Sequence, residues 1–156
     1  MENETVIELW GNYKKLNPDA PNNYDVWAFG DSNEMADELV ELVMAGTKTA
    51  TASCYLLYEM ENESLPLVGL YNVILNGKDE AVAIIKTVSV EVCPFDEVTE
   101  EQAYLEGEGD RTLKYWCNVH EAFFRRELED KKQEFHDKLL VVCERFELVY
   151  KKASAC

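Results

Sequence analysis

The sequence predicts an α+β domain: a small mixed or antiparallel β-sheet, able to curl toward a barrel, with helices packed outside it. Three observations carry this. Candidate strands crowd the middle of the chain between residues 68 and 92 with no helical pattern between them, so the regular crossovers of a parallel doubly wound sheet are missing. Segments with helical apolar spacing bracket that stretch on both sides. No Gly-x-Gly-x-x-Gly follows a strand, which removes the signature of a dinucleotide-binding domain. The 156 residues amount to one domain, long enough to bury about two-thirds of its unfolded surface.

Taken in order, Val6, Leu9, Trp10 and Tyr13 have i, i+3, i+4, i+7 spacing, which predicts an N-terminal helix lying on the outside of the domain. The turn-rich stretch Asn17 to Asn23 follows. Residues 1–23 are accordingly a helix and linker belonging to the same domain as residues 24–156. A second helix is announced by Asp31 with Glu34 three residues on, Ser32 being the alternative cap. Met35, Leu39, Leu42 and Val43 form its stripe and Gly46 its stop. Thr49, Thr51 and Ser53 then alternate with Ala50 and Ala52 as an extended segment. Val68 to Leu75 is a strand, Asn76-Gly77 a hairpin turn, and Ala81 to Val92 one long strand or two shorter ones. Thr99 with Gln102 opens a short helix ending near Gly107; a longer helix runs from about Arg111 to Glu129; a last strand runs from about Leu139 to Tyr150.

Charge narrows the function. Fifteen Lys and Arg against 31 Asp and Glu leave a net charge of −16, which argues against tight binding to long nucleic acid. A site for one nucleotide or a short single strand remains compatible with it. There is no uninterrupted apolar run of roughly 18 residues, hence no membrane-spanning helix, and the start Met1-Glu2-Asn3-Glu4 lacks the basic and apolar regions of a secretory leader. Cys54, Cys93, Cys117, Cys143 and Cys156 are widely spaced and never in a C-x-x-C pair, which suits free thiols in a reducing cytoplasm. With only His120 and His136 to supplement them, a structural zinc site is not expected.

Lys48 is the only basic side chain between Lys15 and Lys78, an interval holding ten Asp and Glu residues. Such a lysine either contacts an anionic or carbonyl ligand, or complements the dipole of the helix it follows. Thr51 beside it is a nucleophile only with a base in hydrogen-bonding reach, and Lys48 serves as that base only if burial favours its neutral form. Glu91 to Asp110 contains eight carboxylates and no cation. Within it, the glycines of Glu106-Gly107-Glu108-Gly109-Asp110 permit turns that aim Glu106 or Glu108 inward. Trp116 and His120, four apart on one helix, are either a platform for a base or ordinary core residues.

Together, Phe29-Gly30-Asp31-Ser32, the G-T-K-T-A-T-A-S run from Gly46, Pro66-Leu67-Val68-Gly69, the E-G-E-G-D run from Glu106, then Trp116, His120, Phe123 and Phe124, and the closing Val142-Cys143-Glu144-Arg145-Phe146 resemble the ASCH domain family of the PUA-like superfamily, in a bacterial subgroup. The resemblance implies a PUA-like small β-barrel of mixed and antiparallel strands with flanking helices and a cleft beside it. It also implies RNA-related chemistry, which in some small members is hydrolysis of the amide of N4-acetylcytidine by a lysine, a threonine and a glutamate. Those residues match Lys48, Thr51 and Glu106, with Glu108 the competing glutamate. Leu70 stands where such proteins often carry an aspartate, and Thr47 where a basic residue is frequent.

The expected function is hydrolysis of an acylated nucleoside in which Lys48 deprotonates Thr51, Thr51 attacks the amide carbonyl, and Glu106 hands a proton to the leaving amine. Backbone N–H groups near Lys48 are expected to hold the oxyanion. Thr49, Ser53, Glu108, Asp110, Arg111, Trp116 and His120 are the expected substrate contacts. The alternatives are an RNA- or nucleotide-binding module, with Lys48 and Arg111 as contacts and Trp116 as stacking platform, or a single-strand ribonuclease. None of the three requires a cofactor or metal.

Overall fold

The computed structural model describes residues 3–153. Five strands form one mixed sheet, β1 (Asp25–Trp27), β2 (Ala50–Cys54), β3 (Tyr71–Leu75), β4 (Ala81–Pro94) and β5 (Leu140–Lys151), in the spatial order β1-β3-β4-β5-β2. Only β1 and β3 run parallel; the other three pairings are antiparallel. The sheet curls into a half-barrel with helices outside it, as the α+β reading requires. β1 and β2 are its two open edges. Register shifts in β4 opposite β5, between Ile84 and Ile85 and between Thr87 and Ser89, accompany the curl, since a bulge bends its strand and increases the local twist.

Apolar residues of the long strands alternate between two covered faces. On one, Val73, Ala81 and Ile84 receive Val6, Leu9, Trp10 and Tyr13 of α1 (Glu4–Leu16). On the other, Ile74, Ala83, Ile85 and Phe146 receive Val40 and Val43 of α2 (Asn33–Met44). Burial on both faces explains why Ala81 to Ile85 reads as a continuous apolar run. A third cluster joins Val141 and Cys143 to Trp116, Phe124 and Leu128 of α5 (Leu113–Asp130).

The expected helices form, with small shifts at their ends. Ser32, not Asp31, caps α2 by accepting from the Met35 N–H, and the fully buried stripe is Ala36, Val40 and Val43 with Met35, Leu39 and Leu42 at its margins. Thr99 caps α4 (Glu100–Glu106) and Thr112 caps α5. The 68–75 strand shortens to β3, because Gly69 at φ 92° turns the chain before it. Asn76 Oδ1 accepts from the N–H groups of Lys78 and Glu80, so the hairpin closes through a five-residue loop rather than a two-residue turn. Ala81 to Pro94 is a single strand. Strand β1 and the short α3 (Tyr55–Met60) have no counterpart in the sequence reading.

Helix α1 is stitched to the hairpin: Thr5 Oγ1 accepts from the Ala81 N–H at 2.9 Å, and Asn3 donates to Asp79 O at 2.6 Å. Trp10, 7% exposed, lies against Tyr13, Tyr24 and Tyr71. Trp10→Ala should therefore lower the stability of the whole domain by about 3–5 kcal/mol, as one cooperative urea transition moved to lower concentration. A transition left in place would mean that the helix is an appendage.

Candidate functional site

Lys48 is delivered to the interior by the end of α2. Gly46, at φ 81°, donates to Val43 O, while Thr47 and Lys48 both donate to Leu42 O. This is the left-handed stop that glycine supplies without Cβ strain. Thr49 then donates to Leu105 O at 2.8 Å and accepts from the Phe146 N–H at 3.0 Å, which pins the chain between α4 and β5 before β2 begins. Lys48 is left 2% exposed. Its ammonium turns toward two glutamates: the carboxylate oxygens Glu108 Oε2 at 3.1 Å and Glu106 Oε1 at 3.8 Å, and the Glu106 backbone carbonyl at 3.5 Å. The Phe29 ring centroid lies 5.4 Å away.

Glu106 ends α4 and is 1% exposed. Trp116 Nε1 donates to its Oε2 at 2.6 Å and Gln102 Nε2 at 3.2 Å. Its Oε1 faces His120 Nε2 at 3.2 Å and Lys48, yet is the one buried side-chain polar atom among the described residues without an aligned hydrogen bond. Burial pushes this carboxyl up, but the His120 contact, the Lys48 charge and the Trp116 bond outweigh it, and the group is held below the ordinary glutamate value. His120 Nδ1 lies 2.9 Å from Trp116 O, an acceptor. Each ring nitrogen of His120 thus faces an acceptor, Trp116 O on one side and Glu106 Oε1 on the other.

The two glycines after Glu106 are there for contact. A Cβ on Gly107, at φ 73°, would stand 2.6 Å from Thr47 O, and one on Gly109 would stand 2.4 Å from the Tyr115 ring. This close passage brings Glu108 back to Lys48.

Lys48, Thr51, Glu106, Glu108 and His120 line one pocket of about 50 Å³. Phe29, Gly30, Thr51, Ala52 and Phe123 line both it and a cleft of about 820 Å³, within the size range of small-ligand sites. Residues from both open edges of the sheet, Asp25 to Trp27 of β1 and Thr51 to Ser53 of β2, line that cleft. Thr51 thus stands where the pocket meets the cleft. The cleft also holds Asp25, Glu63, Glu127 and Glu144, with no Lys or Arg in its wall. Burial pushes the Glu127 carboxyl up to about 7, with Asp31 and Glu61 adding to it and Arg126 opposing it.

The remaining expected contacts divide. Ser53 lines the cleft, hydrogen-bonded to the Tyr58 hydroxyl at 2.9 Å. Thr49 precedes β2 and its hydroxyl turns to Leu105 O at 3.5 Å. Asp110 is exposed and accepts from Thr112. Arg111 stacks on Tyr104 at 3.7 Å and donates to Tyr104 O and Thr47 O, so it braces the loop rather than facing the cleft. Trp116 is no platform: His120 stacks on it at 4.2 Å and 13°, and Phe95 lies at 5.3 Å. The N–H groups of Lys48 and Thr49 are bonded to Leu42 and Leu105 carbonyls, so they are not available as oxyanion donors. Gln102 was read only as a capping residue; its amide also donates to Thr51 O at 3.3 Å, tying Glu106 to β2. Glu106, Glu108 and His120 bring one potential ligand atom each within 4.8 Å of the others, but the Lys48 ammonium already lies against both carboxylates, and a metal ion would have to displace it. Cys54, Cys93, Cys117 and Cys143 are unpaired thiols whose burial pushes each of them up; Cys156 lies outside the described residues.

Residues 25–150 match the family model described as the ASCH domain. A crystal structure of an ASCH domain from Lactobacillus crispatus JV V101 superposes with a TM-score of 0.89 at 29% identity, covering 95% of this chain and 96% of that one. The crystal structure of a protein from Enterococcus faecalis V583 superposes with a TM-score of 0.88 at 41% identity, over 94% of this chain and 88% of that one. Among curated proteins none matches. Within the described residues no helix is long and apolar enough to cross a membrane.

Two predictions follow from this geometry. Gly46→Ala meets open space and should cost about 1–2 kcal/mol, the left-handed backbone penalty alone; Gly107→Ala should cost distinctly more in urea unfolding, because Thr47 must also move. For Glu127, a folded-state value of about 7 against the ordinary glutamate value of 4.5 means that the native state keeps a proton the unfolded chain has released. Stability is therefore full below the lower value and lost as pH rises through the higher one. Glu127→Gln should raise the melting temperature at pH 8 and leave it nearly unchanged at pH 4.

Proposed function

Because the chain belongs to the ASCH domain family, we propose that it hydrolyses a small acyl amide of a nucleoside, of the N4-acetylcytidine kind, with Thr51 as nucleophile. The observation that carries this is the position of Thr51 at the junction of a 50 Å³ pocket holding Lys48 and an 820 Å³ cleft edged with carboxylates. The pocket accommodates a group the size of acetyl, and the cleft a nucleoside. An acidic cleft favours an uncharged ligand over a phosphorylated one, which counts against the nucleotide-binding and ribonuclease readings.

The proton sequence uses the buried cluster. Lys48 passes a proton to Glu108, whose side chain is 15% exposed and closest to it. The free amine takes the Thr51 proton as the hydroxyl oxygen bonds to the carbonyl carbon. The ammonium so formed is the cation beside the oxyanion, and it protonates the leaving nitrogen as the C–N bond breaks. Water repeats the sequence on the acyl-threonine, releasing the acid and restoring Thr51. Glu106, fixed by Trp116 and Gln102, acts through Lys48 and His120 rather than on the leaving amine directly.

The test is a hydrolysis panel of N4-acylated cytidines. Thr51→Val keeps the shape of the side chain and should lose turnover at least 100-fold while unfolding like the native protein; Lys48→Ala should also be inactive, and less stable by about 3–5 kcal/mol because buried carboxylates lose their partner. Acetyl should exceed longer acyl groups. No turnover of any member by the native protein, or full turnover by Thr51→Val, would overturn the reading.

A further inference from the structure

A row of polar side chains crosses the floor of the cleft through four neighbouring strands. Trp27 Nε1 in β1 donates to Asn72 Oδ1 in β3 at 2.9 Å; Asn72 Nδ2 donates to Thr87 Oγ1 in β4 at 3.3 Å; Thr87 Oγ1 donates to Glu144 Oε2 in β5 at 2.6 Å. The register then sets Glu144 directly across from Thr51 in β2, and directly paired side chains share one face of a sheet, with Cβ atoms about 5 Å apart. The row therefore ends beside the hydroxyl to which we assign the nucleophile.

The direction of these bonds is fixed by chemistry. An indole N–H only donates, so Asn72 must turn its carbonyl to Trp27 and its amide to Thr87. The Thr87 oxygen receives that amide, and its hydrogen goes to Glu144. Asn72, Thr87 and Glu144 are 2%, 1% and 5% exposed, so water does little to relax the order. Every donor in the row points the same way, and the row terminates in a carboxylate whose bond from Thr87 occupies Oε2, leaving Oε1 to the cleft that Glu144 lines. Burial pushes this carboxyl up, with Thr87 opposing and Asp25 adding to it, and charged or neutral its carbonyl-type oxygen can accept. Neighbouring Ser53 and Tyr58 hydroxyls are bonded to each other.

We propose that Glu144 is the specificity-determining acceptor of the cleft, receiving a hydrogen bond from an N–H group of the ligand beside the carbonyl that Thr51 attacks. This rests on the hydrolase reading for the carbonyl but not for the N–H. The ligand class it selects is the secondary amide, or the primary amine left by its cleavage, over a tertiary amide or a carbonyl at the same place. Glu144→Gln is the informative change. Thr87 still needs an acceptor, so the new amide gives it the carbonyl oxygen and turns an N–H₂ to the cleft, reversing the polarity there.

Two measurements separate this from hydrolysis itself. Calorimetric titration with cytidine, which carries an amino group at C4, and uridine, which carries a carbonyl, needs no turnover. The native protein should prefer cytidine at least tenfold, the scale of one charge-assisted hydrogen bond, and Glu144→Gln, with an unchanged melting temperature, should abolish or reverse the preference. Turnover of N4-acetylcytidine should likewise exceed that of its N4-methylated analogue in the native protein and not in Glu144→Gln. Preference without turnover would sink the hydrolase and keep the acceptor. A native protein that binds both nucleosides equally or neither, or a Glu144→Gln protein that keeps the native preference, overturns the acceptor whatever the hydrolysis panel gives.

Discussion

The structure depends on one buried charge. An ammonium taken out of water costs several kcal/mol unless opposite charge and hydrogen bonds replace its hydration, and Lys48, 2% exposed, obtains both from Glu106 and Glu108. Meeting that requirement dictates much of the surrounding backbone: the left-handed stop at Gly46, the passage of Gly107 against Thr47, and the Trp116 and Gln102 bonds that hold the Glu106 carboxylate. Helices α2, α4 and α5 and strand β2 are thus placed relative to one another by a polar contact as well as by apolar packing. Buried ion pairs are weak stabilisers compared with packed apolar side chains of the same volume. On the proposed function, the arrangement serves instead to hold Lys48 at a pocket wall.

What could be read from the sequence follows from how local the signal is. Helix α2 carried a cap, a stripe and a stop within its own residues, α4 a cap and a stop, α5 its apolar spacing, and α1 showed all four of its buried positions. Helix α3 has no side-chain cap and no buried residue, so neither signal exists to be read. Strand β1 is three residues long and is defined by parallel pairing with a segment 47 positions later, Asp25 with Asn72. The register shifts between β4 and β5 that accompany the curl are encoded by no local pattern.

The same division holds at the site. Lys48 stood out because no other cation lay near it in the chain, and the glycines flanking Glu108 marked a turn. The spacing of Trp116 and His120 correctly made them neighbours, but spacing does not say which ring faces outward; His120 lines the pocket and Trp116 lies beneath it. Whether Glu106 or Glu108 meets the lysine was open because both do, at 3.8 and 3.1 Å, with one buried and one partly open to water. Asn72, Thr87 and Glu144 were invisible as a unit, since they lie on three different strands and only sheet register aligns them.

The candidate site has two polarities, and the proposed function rests on both. On the pocket side of Thr51 stands an ammonium donor, Lys48; on the cleft side, across the β2–β5 ladder, stands a carboxyl acceptor, Glu144. A secondary amide is the acyl linkage that matches both, because its carbon lies between an oxygen that accepts and a nitrogen that donates. An ester, or a phosphodiester, presents acceptors on both sides and would set lone pairs against the Glu144 carboxylate, a contact that costs the site a desolvated, unpaired group. A phosphate would in addition meet Asp25 and Glu63 around the same cleft. On the proposed function, the carboxylates of the cleft act with the fixed polarity of the Trp27 row to favour a neutral, N–H-bearing ligand, and leave Lys48 for the carbonyl oxygen.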